Sequence, residues 1–201
     1  MTQTIDNKVL SRIYGKKRGW VFAPIIFLDL GSRAAIDKIL GRLVKSGTIR
    51  RLARGLYDYP KKHPDFGDIP PNYERIAQAL AGRDNLKIQP SGAYAANLLG
   101  LTEQVPAKIV FLTDGSNRKV LIGKRKIVLK RTTPKNMATA GKISGLVIHA
   151  LRYLKRNYVD STVIEKLKDK LTEKNKKQLI NDIRYAPEWI GDIFRQLQLK
   201  I

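Results

Sequence analysis

The chain contains no cysteine and only two histidines, His63 and His149, which lie far apart. A disulfide framework and a thiolate metal site are therefore excluded, and the histidines make no metal-ligand spacing. Acids are scarce, 17 Asp+Glu against 39 Lys+Arg, and too scattered to suggest a carboxylate metal site. No apolar run approaches the ~18 residues that span a bilayer. The longest such run is Trp20–Leu28. The first residues lack the basic stretch and apolar core of a signal peptide. Catalytic signatures are missing too. Gly123-Lys124 and Gly141-Lys142 lack the upstream glycine of a Walker loop, and no G-x-G-x-x-G, G-x-S-x-G or H-E-x-x-H occurs. These absences predict a soluble, cytoplasmic, non-enzymatic chain without metal, cofactor or membrane partner.

What is abundant is positive charge. The net charge is +22 over 201 residues, with a pI near 10.3. A hydrophobic fraction of 43% is enough for real cores, so this is not a disordered basic tail. A folded polycation points to a polyanionic partner, nucleic acid first, with a membrane surface or scattered solvating lysines as blander readings. Residues 1–62 hold 14 Lys+Arg and 4 Asp+Glu and are the more densely basic part. Between Ser116 and Lys135 stand eight further cations and no acid: Arg118, Lys119, Lys124, Arg125, Lys126, Lys130, Arg131 and Lys135. The alternating signs from Asp160 to Asp182 read as a solvated helical face.

Four of the nine prolines fall between Pro60 and Pro71. Proline removes backbone donors and disfavours helix, so residues 63–71 are expected to be a semi-rigid extended linker. That divides the chain into an N-terminal domain, residues 1–62, and a second domain, residues 72–201.

In the first part, Ile5, Val9, Leu10 and Ile13 repeat at helical spacing. Trp20–Phe22 reads as a short strand, and Pro24 suits the first turn of a short helix. Ser32 is a good N-cap for a helix from Arg33 to about Ser46, closed by Gly47. Ile36, Ile39, Leu40, Leu43 and Val44 give that helix a core stripe. Its opposite face holds Ala34, Lys38, Gly41, Arg42 and Lys45. Small residues between long cations let a helix lie close to a major groove about 12 Å wide. An ordinary amphipathic surface helix is the blander reading. Thr48–Tyr59 then reads as two strands around a three-residue loop, Ala53-Arg54-Gly55, with Gly55 at positive φ. Arg50, Arg51 and Arg54 load this hairpin with guanidinium groups. The order of elements is that of a winged helix-turn-helix, in which one helix reads bases and the hairpin holds phosphate or a minor groove.

The second part begins as mixed α and β. A helix is expected over Asn72–Ala81, a strand over Leu86–Gln89, and a helix capped by Ser91 over Ala93–Leu99. Lys108–Thr113 should be a strand, followed by a hairpin over Lys119–Lys130, so the basic run lies on a β-meander. From Ile143 onward the periodicity is helical, with stripes through Leu146–Leu154, Val163–Leu171, Leu179–Ile183 and Trp189–Leu197. Ser91 reads as a cap rather than a nucleophile, and His149, Trp189 and Phe194 read as structural. The basic run is either an edge defended by lysine or a second nucleic-acid or antitoxin surface.

Two long stretches, Asp29–Pro60 and Pro90–Gly115, resemble the AbiEi-type antitoxins of bacterial type IV toxin–antitoxin systems, first met in phage abortive infection. Asn136–Val147 and Tyr185–Trp189 are similar to that family as well. The resemblance implies an α+β chain, with an N-terminal winged helix-turn-helix followed by a mixed α/β antitoxin domain ending in a helical region. It implies repression of its own operon through inverted repeats in the promoter. It also implies a functional partner, an AbiEii-type nucleotidyltransferase toxin, opposed without a stable complex. The site residues carried over are Ser32, Arg33, Lys38 and Arg42 on the helix and Arg50, Arg51 and Arg54 on the wing. In this reading Lys45, Arg50 and Arg51 grip phosphates, while Lys38, Arg42 and Arg33 reach base edges. Two rivals stay open: an RNA-binding protein that shields the toxin's substrate through its basic meander, and an antitoxin that masks its toxin by direct contact. No heptad pattern or dimerisation helix is visible, so a monomer in solution is expected.

Overall fold

A computed structural model describes residues 4–82 and 86–199 of the chain. The fold is mixed α+β. It groups into two compact units, Met1–Leu86 with Val120–Ile122, and Lys87–Lys119 with Gly123–Ile201.

The first unit opens with α1 (Ile5–Gly15), whose Thr4 side chain caps the Asn7 N–H. β1 (Trp20–Phe22) follows, then the short helix expected at Pro24, a single 3-10 turn over Pro24–Phe27. α2 (Arg33–Lys45) leads into β2 (Arg50–Ala53) and β3 (Leu56–Tyr59). The three strands form an antiparallel sheet in the order β1-β3-β2. Phe22 lies opposite Tyr57 in the register, and their rings stack with centroids 6.0 Å apart. Phe27 meets Phe22 edge-on at 5.6 Å. Val9, Ile13, Ile36, Ile39, Leu40 and Ile49 complete this core. Each such buried side chain contributes roughly 1.5–3 kcal/mol. The hairpin loop is shorter than expected. Ala53 pairs with Leu56, so only Arg54 and Gly55 turn, and a bulge between Arg51 and Ala53 absorbs the extra residue. Gly55 does take the positive φ, +69°.

The Pro-rich stretch is not an extended linker. β4 (Lys62–His63) and β5 (Gly67–Asp68) pair as a small antiparallel hairpin. Pro60, Pro64 and Pro70 lie outside those strands, where a missing N–H costs no ladder bond. α3 (Tyr73–Ala81), capped by Asn72, also lies in the first unit, so the division between units falls after Leu86 and not at residue 72. The Arg75 guanidinium donates to the Gly19 carbonyl at 2.7 Å, and Ile76, Ala77 and Ala81 are buried.

The second unit begins with β6 (Ile88–Ser91) and α4 (Ala93–Leu98). Ser91 does not cap α4. It ends β6 opposite Val110, and Gly92, at φ +61°, starts the helix because only glycine enters that conformation freely. β7 (Lys108–Thr113), β8 (Arg118–Ile122) and β9 (Arg125–Arg131) follow. The sheet order is β6-β7-β9-β8, with β7 and β9 parallel. The three strands are thus not a meander. β9 takes the inner place because Ile127 and Leu129 are apolar enough to be buried, whereas β8 offers no buried side chain.

After the short α5 (Pro134–Met137), the helical part comprises α6 (Ile143–Leu154), α7 (Ser161–Lys170), α8 (Glu173–Asn181) and α9 (Glu188–Gln198). α4 and α6 approach closely through Ala95, Ala96 and Ala150, all fully buried. Leu151, Leu167, Leu179, Ile190 and Phe194 fill the same core, and Trp189 packs against it. One buried polar knot holds the helices together. Asp182 accepts from Ser144 Oγ at 2.6 Å, Gln178 Nε2 at 2.8 Å and Lys142 Nζ at 3.0 Å. Burial alone would raise its carboxyl, but those three donors outweigh it and hold the group below the usual carboxylate range. Ser144 is fully enclosed and donates into this knot, so its hydroxyl serves the core. His149 is buried on α6. Desolvation, reinforced by Arg152, pushes it down to about 4, against a hydrogen bond to the Asn136 backbone.

Candidate nucleic-acid interface

α2 is the best-defined candidate element. Ser32 Oγ accepts from the Ala35 N–H at 3.3 Å, which satisfies one orphan donor of the first turn. Ser32 is thus accounted for as a cap. At the other end Gly47, at φ +70°, lets the chain leave the helix, with its N–H on the Val44 carbonyl. Ile36, Ile39 and Leu40 point inward, and Ala34, Lys38, Gly41, Arg42 and Lys45 are exposed. A side chain at Gly41 would meet nothing. Packing therefore does not demand glycine there, although glycine costs a helix interior about 1 kcal/mol relative to alanine. What it does is keep that stretch of the outward face low.

The four long cations of α2 divide into two pairs. Arg33 Nε lies 2.8 Å from Asp37, one turn on, and Arg42 reaches Asp6 of α1 at 2.6 Å. Both pairs are solvent-exposed and hold at most about 1 kcal/mol, so either can open for a competing anion. Lys38 and Lys45 carry no ion pair among the described residues.

The β2–β3 hairpin treats its three arginines differently. Arg51 and Arg54 are exposed. Arg50 is not free to grip phosphate. Its Nη2 and Nε bond both oxygens of Asp58 at 2.6 and 3.1 Å, and Nη2 also donates to the Ile69 carbonyl at 3.0 Å. Its Nη1 lies 3.6 Å from Asp68. Hydrogen bonding to Asp58 raises the guanidinium against the opposing effect of burial, so it stays charged. The signal was available in the sequence: Asp58 is the hairpin's only acid, and antiparallel pairing sets it opposite Arg50. The expectation that Arg50 contacts DNA is replaced by a structural role, tying the β4–β5 hairpin to the sheet.

Nearby cations are also largely committed. Arg12 binds Asp29 through two nitrogens, at 2.6 and 2.7 Å, and donates to the Ile26 carbonyl. That hydrogen bonding raises its pKa. Arg18 donates to the Pro60 carbonyl and lies over the Tyr59 ring at 4.7 Å. Sequence reasoning missed the β4–β5 hairpin, where Lys61, Lys62 and His63 adjoin the exposed Phe66.

In the second unit the basic run is split by the pleat. Lys126 and Lys130 alternate with buried Ile127 and Leu129, and Arg118 and Lys119 are exposed on β8. Lys124 lies at the hairpin tip beside Gly123, Arg125 is half-buried, and Lys135 is exposed on α5. Arg131 is exposed at the end of β9, where its backbone N–H bonds Asn117 Oδ1 at 2.7 Å. A shallow groove is lined by Asn117, Arg118, Lys119, Val128, Leu129 and Lys130. Among the described residues, Arg118, Lys119, Lys124, Lys126, Lys130, Arg131 and Lys135 make no ion pair. No helix of the described residues is long and apolar enough to cross a membrane, and no group of three or more His, Cys, Asp or Glu side chains there could hold a metal ion.

The chain belongs to a family of unknown function (DUF6088), whose model matches residues 8–179. None of the curated proteins matches it significantly. Among solved structures it is similar to the crystal structure of the RV2827C protein from Mycobacterium tuberculosis, at 16% identity and a TM-score of 0.48. That likeness covers 98% of this chain and 77% of the other.

Proposed function

We propose that this DUF6088 family member is a DNA-binding transcriptional regulator whose first unit acts as a winged helix-turn-helix. In this reading α2 enters the major groove and the β2–β3 hairpin is the wing. The observation that carries it is the outward face of α2, where Lys38 and Lys45, without an ion pair among the described residues, stand among the small residues Ala34 and Gly41 on a helix fixed by a full core stripe. Lys38 and Arg42 reach base edges, with Arg33 beside them at the helix start. Lys45, Arg51 and Arg54 hold phosphates. Arg42 and Arg33 exchange an exposed carboxylate for the polyanion at small cost.

The resemblance to AbiEi-type antitoxins extends the proposal. The chain would repress its own operon through inverted repeats and oppose the action of a nucleotidyltransferase toxin without a stable complex. Co-expression with a toxin from the adjacent gene, where one is encoded, tests that part: rescue of growth supports it, and unchanged toxicity counts against it. A second reading rests on the seven cations of residues 118–135 that make no ion pair among the described residues. They suit the phosphate backbone of structured RNA, so the second unit would be an RNA-binding surface.

The test is a salt-dependent binding measurement. The full chain is titrated with the duplex upstream of its own gene and with a shuffled duplex of equal length. About four phosphate contacts would give a log–log salt slope near −4. Preference for the upstream duplex that survives near-physiological salt supports a sequence-specific regulator. Equal, steeply salt-sensitive binding to both would reject it and leave a general polyanion grip. Tighter binding to structured RNA, lost on neutralising Lys124, Lys126 and Arg131, would favour the second reading.

A further inference from the structure

The β4–β5 hairpin carries the most exposed large apolar side chain among the described residues, Phe66, at 82% of its full exposure. Core packing does not explain a phenylalanine that buries less than a fifth of its surface. A polar residue would serve this turn equally well, and an exposed aromatic forgoes roughly 1.5–3 kcal/mol of burial.

The ring is nevertheless held in place. Its centroid lies 4.8 Å from that of His63, tilted by 43°. His63 Nδ1 in turn accepts from the Asp65 N–H at 3.2 Å. Gly67, at φ +65°, closes the turn directly after Phe66. The root of the hairpin is fixed as firmly. The Ile69 N–H donates to the Lys61 carbonyl at 2.8 Å, and Arg50 grips the Ile69 carbonyl while anchored on buried Asp58. The hairpin thus presents one aromatic ring to solvent, with exposed Lys61 and Lys62 at its base and exposed Asp65 and Asp68 on either side of the ring in sequence.

An exposed aromatic ring on a fixed projection from a basic unit is the chemistry of base contact. Apolar side chains wedge between base steps from the minor groove, and aromatic rings stack on bases wherever one is exposed. We propose that Phe66 is a DNA-contacting wedge: it inserts against a base step of the bound duplex, while Lys61 and Lys62 hold the adjoining phosphates and Arg50 positions the hairpin. The inference rests on the reading of the first unit as a DNA-binding unit. It adds a second hairpin to the contact surface and assigns Arg50 an indirect part in it. The charge of this part of the chain favours a polyanion over a protein surface, since residues 1–71, which include the hairpin, hold 14 cations against 6 acids.

The experiment compares the full chain with Phe66→Ala, Phe66→Trp and Arg51→Ala on the upstream duplex at one salt concentration and across a salt series. A matching duplex with 2-aminopurine at successive positions reports unstacking by its fluorescence. Phe66→Ala is expected to lose about 5- to 100-fold in affinity with an unchanged salt slope, because stacking releases no counterions. Phe66→Trp should retain binding and show quenched indole emission on the duplex. Arg51→Ala should shift the salt slope, which separates the two kinds of contact. Binding of Phe66→Ala equal to that of the parent, with Arg51→Ala still weakened, would overturn the wedge and leave the DNA-binding reading intact. A parent chain that binds no duplex at low salt would overturn both. A melting temperature lowered by several degrees in Phe66→Ala would overturn the wedge in favour of a structural ring. Loss of self-association in that variant, with unchanged DNA affinity, would overturn it in favour of a contact between copies.

Discussion

Arg50 and Asp58 face each other across the β2–β3 hairpin, joined by two hydrogen bonds of 2.6 and 3.1 Å, with Asp58 only 1% exposed. Removing the arginine strands a buried carboxylate, which is far costlier than losing a surface pair. Arg50→Ala is therefore expected to cost about 3 kcal/mol in equilibrium denaturation. Arg50→Lys should recover only part of this, because an ammonium cannot reproduce the guanidinium fork. A loss of less than about 0.5 kcal/mol in Arg50→Ala would return Arg50 to the set of surface cations.

Arg51 and Arg54 make the contrasting case on the same hairpin. Both are exposed, so Arg51→Ala and Arg54→Ala should leave stability within about 0.5 kcal/mol. Each should weaken DNA binding across all sequences and reduce the salt slope by about one. Fluorescence anisotropy over a salt series reads both quantities. Unchanged slopes would remove the hairpin from the phosphate contacts.

Lys38 and Lys45 share the outward face of α2 but differ in expected role. Lys38→Ala should relax specificity at one position of the operator, at a cost of about 1–3 kcal/mol for the preferred base. Lys45→Ala should weaken all duplexes alike. Binding selection from a randomised duplex pool separates the two patterns. A uniform loss for Lys38→Ala would make it a phosphate contact.

Gly145 packs its bare backbone against Thr139 and Gln89. A Cβ there would collide with the Thr139 carbonyl oxygen and lie 2.7 Å from Gln89 Oε1. The backbone cannot yield as a flexible side chain would, so Gly145→Ala should destabilise the chain by ~1–3 kcal/mol or more, despite its gain in helix propensity. Gly41→Ala is the control, since open space surrounds that position. It should stabilise slightly, by up to about 1 kcal/mol. Thermal melts of the two variants that moved together would contradict this account.

His149 sets a pH dependence whose sign is fixed by its burial. The folded state lowers its pKa from 6.5 to about 4, so between those values the unfolded chain binds the extra proton. Stability is then full above pH 6.5 and falls as pH drops toward 4, by at most ~3 kcal/mol. Asp182 does not obscure this window. Its carboxyl is held below its ordinary value, so its contribution persists through the window and is lost only at more acid pH. Denaturant midpoints measured from pH 4 to 7.5 should fall toward acid more steeply in the parent than in His149→Gln, so that the two curves separate at the acid end. A parent curve as flat as that of the variant would remove His149 as the source.

The sequence alone determined what local physics governs. Helical spacing placed α1, α2 and the later helices, because apolar residues at i, i+3, i+4 and i+7 bury one face wherever the helix packs. Ser32 caps α2 because the competition for unpaired N–H groups is settled within a few residues. Composition set the net charge of +22 and with it the class of partner to be proposed. Tertiary structure decided which cations are available, because availability depends on carboxylates distant in the chain. Arg12 finds Asp29, Arg42 finds Asp6, and Arg50, already opposite Asp58 in its own hairpin, also finds Asp68. It also decided the strand order β6-β7-β9-β8, since a sheet ranks its strands by what each can bury and not by their order in the chain. The Pro-rich stretch shows both effects. Its prolines warned of a break in helix, but only Arg50 and the Lys61–Ile69 bond make it a fixed hairpin with Phe66 at its tip.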